Sequence, residues 1–461
     1  MRAAVAAGHP ATAQAGAETL EDGGSAADAA VAASLASCVA ETVMTGLLGG
    51  GHAIFFDAHT RRARNLDCFC AVPGLGGGEP RAEVVRLEVP FGTEIVHYAI
   101  GIASCAVPGL PAGLEEVWRA HGRLPWPRLV EPALRLARQG VELPPAHAAC
   151  LAMLEPAMTL NEGARIYAPR GKLLVAGDRL EQPGLADALE TLAAEGASSV
   201  YRGSLAETLL GLMDERGGLI TRDDLTTYRA GWSDPVETAY LELRFLTRGG
   251  LSRVPETVSR LPRLRGCGER ERVLRLVPAL AVERDIEGDT TNISAVDADG
   301  NACVLTSSLG LGSGDFLPGL DLHLNSMLGE ADLIVGRLAP GERMESMMAP
   351  SLVLDRAGGL VVGAGAAGGT RLRAALLQTV SGILDEDLEP GHAIARPRFH
   401  PAGDTLHAEP GVDEEALVTL AENGWRVRQW PDLHHFFGGV SVVGEAGASG
   451  DPRRNGAAIV V

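Results

Sequence analysis

The stretch Asp289-Thr290-Thr291-Asn292-Ile293-Ser294-Ala295-Val296 decides how this 461-residue chain is interpreted. It opens with polar residues, and from Asn292 onward polar and apolar residues alternate, as on a strand with one buried face. Asp299-Gly300 then predicts a two-residue hairpin turn, and residues 302–308 predict the returning strand. Pairing across this turn places Ser308, at the far end of the second strand, beside Thr290.

Thr290 gains a catalytic base if the chain is cut in front of it. A threonine hydroxyl has no base of its own, whereas a new N-terminus carries an α-amine whose ordinary pKa is about 8. Such an amine can accept the hydroxyl proton and activate the oxygen as a nucleophile. Spacing alone leaves a simpler alternative open, because threonine and serine are also common on strands.

A glycine-rich turn follows a buried-strand pattern later in the chain. Residues 360–362 are apolar, and residues 363–369 (GAGAAGG) lead into a predicted helix. Backbone amides at such a strand-to-helix turn suit a developing oxyanion. The same glycines fit a dinucleotide fingerprint, with Asp385 22 residues after Gly363. The context disfavours a nicotinamide or flavin oxidoreductase, because a Rossmann unit needs a second strand before that acid and here the helix runs directly into it.

Periodicity predicts mixed helix and strand order, which by itself indicates an α/β or α+β fold. Helices are predicted near residues 11–22, 26–40, 111–121, 126–139, 183–195, 205–216, 370–384 and 413–423. Strands are predicted near residues 52–58, 62–70, 235–246, 292–298, 302–308, 351–355, 359–363, 437–443 and 457–461.

Several short motifs recur in a fixed order along most of the chain. They are His9-Pro10, Gly23-Gly24, residues 25–33, the glycine-rich turn at 46–51, Val107-Pro108-Gly109, residues 217–225, Pro397-Arg398-Phe399-His400 and Asp451-Pro452-Arg453. Each motif is weak alone, but in this order the chain resembles the gamma-glutamyltranspeptidase family of N-terminal nucleophile hydrolases. The resemblance implies a four-layer αββα sandwich built from two fragments of one self-cleaved precursor, residues 1–289 and 290–461.

The resemblance also implies the catalytic residues. The family cuts itself before a Thr-Thr-His stretch, which matches Thr290-Thr291-Asn292 here, so Asp289 and Thr290 would flank the processing site. Thr290 would be the nucleophile, Ser308 the second hydroxyl, and Gly368 and Gly369 the oxyanion donors. The two fragments would remain associated as a heterodimer, with a dimer of heterodimers as an open alternative.

The positions that recognise substrate depart from the family pattern. Phe69 stands where an arginine holds the glutamyl α-carboxylate, and Met347 replaces the second of two serines, after Ser346. The acid that binds the substrate α-amine falls near Gly329, one place before Glu330, and Gly310 replaces an asparagine. An aromatic ring cannot replace a bidentate arginine clamp, although Arg61, Arg62 or Arg64 could supply a guanidinium from nearby. The predicted substrate-binding residues are Phe69, Asn292, Ser326, Glu330, Ser346 and Met347.

These departures predict a self-processing threonine hydrolase that cleaves or transfers an acyl group other than a simple γ-glutamyl amino acid. A cytoplasmic, biosynthetic setting is the expectation. Two alternatives remain: a family member that breaks a carbon–carbon bond next to a carbonyl, and a catalytically silent homologue that binds a small molecule.

Composition excludes other classes of function. A net charge of −19 argues against a nucleic-acid partner, no apolar run reaches membrane-spanning length, and Met1 enters the first motif without room for a signal peptide. The seven scattered cysteines indicate reduced thiols, and we predict no metal and no cofactor. The arginine-rich segment 251–288 is interpreted as a solvated linker or maturation loop.

Overall fold

Two antiparallel sheets lie face to face at the centre of the protein, and helices cover both outer faces. The computed structural model describes residues 2–78, 81–91, 94–283 and 290–461. Apolar side chains on both faces of the central strands explain the layering, because a sheet buried on both sides needs cover on both sides. The fold is the four-layer αββα sandwich that the resemblance implied.

The strands are numbered in chain order over the described residues. They are β1 Ala4–Ala7, β2 Gly50–Asp57, β3 Arg62–Cys68, β4 Val85–Phe91, β5 Glu94–Ile100, β6 Val141–Glu142, β7 Arg179–Leu180, β8 Gly231–Ser233, β9 Val236–Tyr240, β10 Leu243–Thr247, β11 Thr291–Val296, β12 Ala302–Ser308, β13 Ser351–Leu354, β14 Leu360–Ala367, β15 Phe399–Ala402, β16 Thr405–Ala408, β17 Arg426–Gln429, β18 Gly439–Gly444, β19 Gly447–Gly450 and β20 Ala457–Val460.

The helices are numbered in the same way. They are α1 Pro10–Glu21, α2 Ala26–Ala40, α3 Leu110–His121, α4 Trp126–Gln139, α5 Pro145–Met153, α6 Glu155–Met158, α7 Gly163–Tyr167, α8 Pro183–Glu195, α9 Ser198–Tyr201, α10 Ser204–Arg216, α11 Arg222–Thr227, α12 Val254–Val258, α13 Glu269–Leu280, α14 Arg371–Asp385, α15 Pro390–Ala395 and α16 Glu414–Glu422. Short 3-10 helices occupy Ile102–Ser104, Pro169–Gly171, Met327–Gly329, Ala331–Leu333, His435–Phe437 and Pro452–Arg454.

The first central sheet has the strand order β20-β1-β11-β12-β2-β3-β8, and the second has the order β19-β18-β14-β13-β10-β9. Helices α1 and α2 pack on the first sheet, α14 packs on the second, and β11 packs between the sheets against β14 and β18. Smaller sheets are formed by β15-β16-β17, β4-β5 and β6-β7. In both central sheets, strands from before and after residue 290 pair with each other, so a cut there leaves backbone ladders that join the fragments.

The hairpin β11–β12 has the predicted strands but a different loop. Thr291 pairs with Ser307 and Val296 pairs with Ala302, and the amide of Asp297 still donates to the carbonyl of Asn301 at 3.0 Å. The loop therefore contains three residues, not the predicted two, with Gly300 at φ 85°. The strand register is shifted by one residue from the register that a two-residue loop would give. Continuing the Thr291–Ser307 pair by one step places Ser308 opposite Thr290.

The arginine-rich segment is not a solvated linker over its described part, which corrects that interpretation. It contains α12 and α13, and α13 buries Val273, Leu276, Val277 and Leu280 in the core of the second sheet. These four residues follow the i, i+3, i+4, i+7 pattern of an amphipathic helix. The arginines of the segment concealed that pattern, because they dominate its composition.

Several other strands differ from the prediction, and two of the differences affect the central sheets. The single strand predicted over residues 235–246 is the hairpin β9–β10, which turns at Leu241 with φ 59°. Strand β1 was not predicted, since its alanine-rich sequence carries no alternation, yet it pairs with both β11 and β20. Within the described residues, no helix is both long enough and apolar enough to cross a bilayer.

Candidate active site

Thr290 lies in a small pocket at the start of the β11–β12 hairpin. Its residue is 7% exposed, and Ser308 lines the same pocket of about 30 Å³. The hairpin register explains this arrangement, because one step beyond the Thr291–Ser307 pair brings Thr290 and Ser308 together. The predicted nucleophile and the second hydroxyl therefore share one pocket. Asp289, the residue predicted to precede the cut, lies outside the described residues.

The glycine-rich turn approaches Thr290 from the second sheet. Strand β14 ends at Ala367, α14 begins at Arg371, and the amide of Gly368 donates a hydrogen bond to Thr290 Oγ1 at 2.9 Å. Gly368 and Gly369 have φ values of 120° and 56°, a conformation that glycine adopts without strain. A Cβ on Gly368 would also lie 3.0 Å from Gly438 Cα. The turn can thus direct a backbone donor at an oxygen developing beside Thr290.

A buried polar cluster supports the nucleophile strand from the helical side. The Thr12 and Thr291 hydroxyls donate to the two carboxylate oxygens of Glu41, at 2.6 and 2.5 Å. Arg454 Nη1 donates to the Thr290 carbonyl oxygen at 3.4 Å. Burial raises the pKa of Glu41, while its hydroxyl donors and the charge of Arg454 act in the opposite direction. Glu41 and Arg454 were missed by sequence analysis, although Arg454 directly follows the Asp451-Pro452-Arg453 motif.

The late motifs form a buried ion-pair network that holds this region. Arg398 and Asp451 form an ion pair at 2.6 Å, and both side chains are buried. Asp451 also accepts from the Val440 amide at 3.0 Å, while Arg453 pairs with the buried Glu409. Their role in the fold is structural, since breaking one buried partner would leave an uncompensated charge.

Four of the six predicted substrate-binding residues line the pocket around Thr290: Phe69, Glu330, Ser346 and Met347. The wall is completed by Gly369, which was predicted as an oxyanion donor, and by four residues that sequence analysis missed, namely Met327, Leu333, Met348 and Leu372. Phe69 is 1% exposed and stacks on His52 with ring centroids 5.6 Å apart. We call this space the acyl pocket. It is small and mostly apolar.

Asn292 and Ser326 do not line the acyl pocket, unlike the other four predicted substrate-binding residues. The Asn292 side-chain amide lies between the sheets, 2.7 Å from Thr306 Oγ1, and a Cβ on Gly365 would collide with it at 2.0 Å. Ser326 Oγ accepts from the Leu311 amide at 3.1 Å and so braces the loop after β12. Both residues match the family positions in sequence, but in the folded protein each forms its hydrogen bond with another part of the chain instead of facing the acyl pocket.

The structure explains why Gly310 and Gly329 differ from the family pattern. A Cβ at Gly310 would lie 2.6 Å from Glu330 Oε1 and 2.7 Å from Ser326 Oγ, and Gly310 has φ 68°. A Cβ at Gly329 would lie 1.6 Å from the Ala99 carbonyl oxygen. An acidic side chain at position 329 would therefore collide with the backbone of Ala99. The side chain of Glu330 occupies the space that an asparagine at position 310 would need.

No arginine near Phe69 replaces the missing clamp within the described lining of the acyl pocket. Arg61 donates to the Ala357 carbonyl at 2.6 Å, and Arg61, Arg62 and Arg64 line a separate surface cleft. Arg343 lies behind Phe69, where its guanidinium donates to the Phe69 carbonyl oxygen at 2.7 Å. The alternative that a neighbouring guanidinium enters the pocket is therefore not supported.

A second, larger cavity adjoins the acyl pocket. It has a volume of about 450 Å³ and shares Met347, Gly369 and Leu372 with the acyl pocket as a common wall. Its remaining lining includes Arg253, Arg260 and Arg373. We call this cavity the vestibule. The arginines of the 251–288 segment are visible in the sequence, but their position beside the acyl pocket is not. Only the fold brings Arg253 and Arg260 together with Arg373, which belongs to the distant helix α14.

Known proteins resemble this chain in sequence and in fold. The chain is 27% identical over 493 residues to the acylase ACY 1 proenzyme of Pseudomonas sp. (strain SE83), covering 93% of this chain and 88% of that protein. It is 24% identical to the glutathione hydrolase proenzyme of Bacillus subtilis (strain 168), covering 99% and 91%. The crystal structure of cephalosporin acylase from Bacillus halodurans shares the fold, with a TM-score of 0.83, 22% identity, and coverage of 99% and 95%.

The family model described as gamma-glutamyltranspeptidase matches residues 12–260 and 272–461, which is nearly the whole chain. The relatives are named as acylases and glutathione hydrolases, so the match indicates an enzyme rather than a silent binding protein. The chain belongs to the gamma-glutamyltranspeptidase family and is an enzyme of its acylase and hydrolase type.

Proposed function

We propose that the protein is a self-processing N-terminal threonine hydrolase that forms an acyl-enzyme on Thr290. The observation that carries this proposal is the 2.9 Å hydrogen bond from the Gly368 amide to Thr290 Oγ1, at the mouth of a pocket shared with Ser308. A backbone donor at this point can stabilise the oxyanion that forms when Thr290 attacks a carbonyl.

Maturation would use the same atoms as turnover. Thr290 Oγ1 attacks the Asp289 carbonyl carbon, the acyl group moves from nitrogen to oxygen, and water hydrolyses the ester. This leaves a carboxylate on Asp289 and a free α-amine on Thr290. The amine then accepts the hydroxyl proton in the next attack and returns a proton to the leaving amine. Water or an acceptor amine releases the acyl group and regenerates Thr290.

The donor is proposed to lack the ordinary γ-glutamyl α-carboxylate. Phe69 and Met347 line the acyl pocket where the family pattern has an arginine and a serine, and an apolar wall offers no partner for a carboxylate. Glu330 is the acid in the described lining, so an amine on the acyl group has a counter-charge while a carboxylate does not. Amide cleavage is preferred over carbon–carbon cleavage, because relatives named as acylases and hydrolases support it.

Denaturing electrophoresis and N-terminal sequencing test the maturation step. We expect two bands, with Thr290 as the first residue of the smaller fragment. Thr290→Ala should give one full-length band, and Thr290→Ser, which keeps a hydroxyl, should still be cut. A wild-type chain that stays uncut under all conditions would contradict the proposal and favour a silent homologue.

A panel of acyl 4-nitroanilides tests the donor. We expect turnover of small acyl groups without an α-carboxylate and little turnover of the γ-glutamyl compound. Robust cleavage of γ-glutamyl 4-nitroanilide would contradict the altered specificity, while leaving the threonine mechanism intact. Mass measurement of the small fragment after mixing identifies the acyl adduct directly. A cytoplasmic location remains a proposal, which cell fractionation would test.

A further inference from the structure

We propose that the vestibule binds a carboxylate carried by the leaving-group side of the substrate. This inference rests on the proposed function, because it assumes that Thr290 attacks a carbonyl between the two cavities. The acyl pocket contains the positions at which the family holds its donor, and the vestibule lies across the wall of Met347, Gly369 and Leu372. The amine that leaves as the acyl-enzyme forms would then occupy the larger cavity.

The charge of the vestibule favours an anion. Arg253, Arg260 and Arg373 line it, and Glu283 is the one carboxylate in its described lining. Among the described residues, none of the three arginines forms an ion pair with a carboxylate within 4.0 Å. Most arginines of this protein do have such a partner, as Arg270 has in Glu415 at 2.6 Å. Three cations left unpaired around one cavity are typical of a site for an external anion.

Arg373 is the strongest element of this site. It is 5% exposed, and its Nη2 donates to the carbonyl oxygens of Leu280 and Ala281, both at 3.2 Å. Burial and the charges of Arg260 and Arg253 together lower its pKa to about 10, against the opposing charge of Glu256. The guanidinium therefore stays charged at neutral pH. The charges of Arg253 and Arg260 repel it. A bound anion would relieve this repulsion.

The backbone adds to the positive potential of the same wall. Gly369 and Thr370 line the vestibule immediately before α14, whose N-terminus carries the positive end of the helix dipole. Arg253 has φ 48°, a left-handed conformation that costs free energy for a residue with a side chain. The fold thus keeps an arginine at the cavity rim in an unfavourable backbone conformation.

Size separates the two cavities as clearly as charge does. The acyl pocket of about 30 Å³ admits a small group, whereas the vestibule of about 450 Å³ admits an aromatic or amino-acid-sized leaving group with its carboxylate. Arginine is suited to this task, because its planar fork matches both oxygens of a carboxylate.

The test compares two substrates that differ by one carboxylate. Mature protein is assayed with the acyl 4-nitroanilide that the donor panel selects and with the corresponding acyl 3-carboxy-4-nitroanilide. We expect the carboxylated substrate to have a KM about tenfold lower, and this preference to shrink as salt is added. Equal KM values for the two substrates would overturn the proposal.

Substitutions assign the preference to the vestibule. Arg373→Gln should remove most of the tenfold preference and leave the KM of the uncharged anilide within about twofold. Because Arg373 also holds two backbone carbonyls, the exposed pair Arg253→Gln/Arg260→Gln provides a second variant with less risk to folding. Arg270→Gln is the matched control, since Arg270 lies on the same segment but outside the cavity lining. A preference that survives both vestibule variants would overturn the proposal.

A binding measurement separates failure of the vestibule from failure of the proposed function. Calorimetric titration with the two leaving groups, 5-amino-2-nitrobenzoate and 4-nitroaniline, requires no turnover. Tighter binding of the carboxylated compound, weakened by the vestibule substitutions, supports the site even if no anilide is cleaved. The segment before Thr290 also carries acids, at Asp285, Glu287 and Asp289. If the variants slow fragment formation and leave binding unchanged, the arginines serve maturation and the proposal is wrong.

Discussion

The acyl pocket and the vestibule differ in every property except the wall that they share. The acyl pocket is small and lined mainly by Phe69, methionines and leucines, whereas the vestibule is about fifteen times larger and has three arginines in its lining. Their common boundary includes Gly369, whose neighbour Gly368 donates to Thr290. Thr290 lines the acyl pocket, and the vestibule begins across the shared wall. In the proposed mechanism, the reaction chemistry depends on backbone positions at this boundary, and selectivity depends on side chains on either side of it.

The largest effect should come from removing the centre on which both cavities depend. Thr290→Ala deletes the nucleophile, so we expect loss of fragment formation and a fall in acyl anilide turnover of about 10⁴-fold or more. Electrophoresis and steady-state kinetics measure the two effects. Binding of 5-amino-2-nitrobenzoate to the processed natural protein is a separate property that this variant does not test. Turnover by Thr290→Ala at the rate of the natural protein would assign the chemistry to another residue.

The next prediction tests whether the backbone amide of Gly368, at the boundary between the two cavities, takes part in the reaction. Gly368→Ala introduces a Cβ at φ 120°, 3.0 Å from Gly438 Cα, and should displace the amide that donates to Thr290. We expect kcat to fall about 10²–10³-fold with smaller changes in KM. Gly211→Ala is the matched control, because a Cβ there meets no atom within 4 Å. Equal kcat values for the two variants would show that Gly368 is not a donor to the transition state.

The shared wall itself can be opened. Met347→Ala shortens a buried side chain that lines both cavities, and should cost about 2–4 kcal/mol of unfolding free energy. We expect longer acyl groups to be accepted, because the acyl pocket gains volume from the vestibule, while the preference for a carboxylated leaving group persists. Denaturant melts and the anilide panel measure these outcomes. An unchanged acyl-length profile would mean that Met347 does not limit the acyl pocket.

The smallest effect concerns a region that belongs to neither cavity. His9 and His147 lie behind Arg454 with ring centroids 5.3 Å apart, and burial lowers their pKa values to about 4 and about 3. The unfolded chain protonates these histidines more readily than the folded chain does. Their contribution to the free energy of unfolding is therefore complete above pH 6.5 and is lost as pH falls towards the two lowered pKa values. Each histidine should cost about 1.4 kcal/mol per pH unit below 6.5.

The raised pKa of Glu41 acts in the opposite direction at acid pH, so the histidine effect must be isolated by difference. His147→Gln should have a shallower loss of unfolding free energy between pH 6.5 and pH 5 than the natural protein. Chemical denaturation at each pH measures the two slopes. Parallel curves would show that His147 is not kept neutral by the fold. Both cavities should retain their substrate preferences across this range.

Much of the fold and part of the site followed from local signals. The β11–β12 hairpin, the eight predicted helices and the glycine turn each carry their information in short windows, as alternation, periodicity or glycine at positive φ. Residues 235–246 show the limit, because the reversal at Leu241 has no turn signal. Asn292 and Ser326 show another limit, since their partners Thr306 and Leu311 are chosen by packing and not by spacing.

The sequence by itself determined the family and predicted Thr290 as the reacting residue, because a hairpin, a turn and an ordered series of motifs fix the positions of Thr290, Ser308, Gly368 and Gly369. Tertiary structure alone decided what surrounds Thr290. Glu41, Arg454 and the vestibule arginines reach the site from α2, the chain terminus, α12 and α14, and such long-range contacts leave no periodic trace in the chain. The stretch beginning at Asp289 predicts the nucleophile, and the packing of distant segments forms the two cavities beside it.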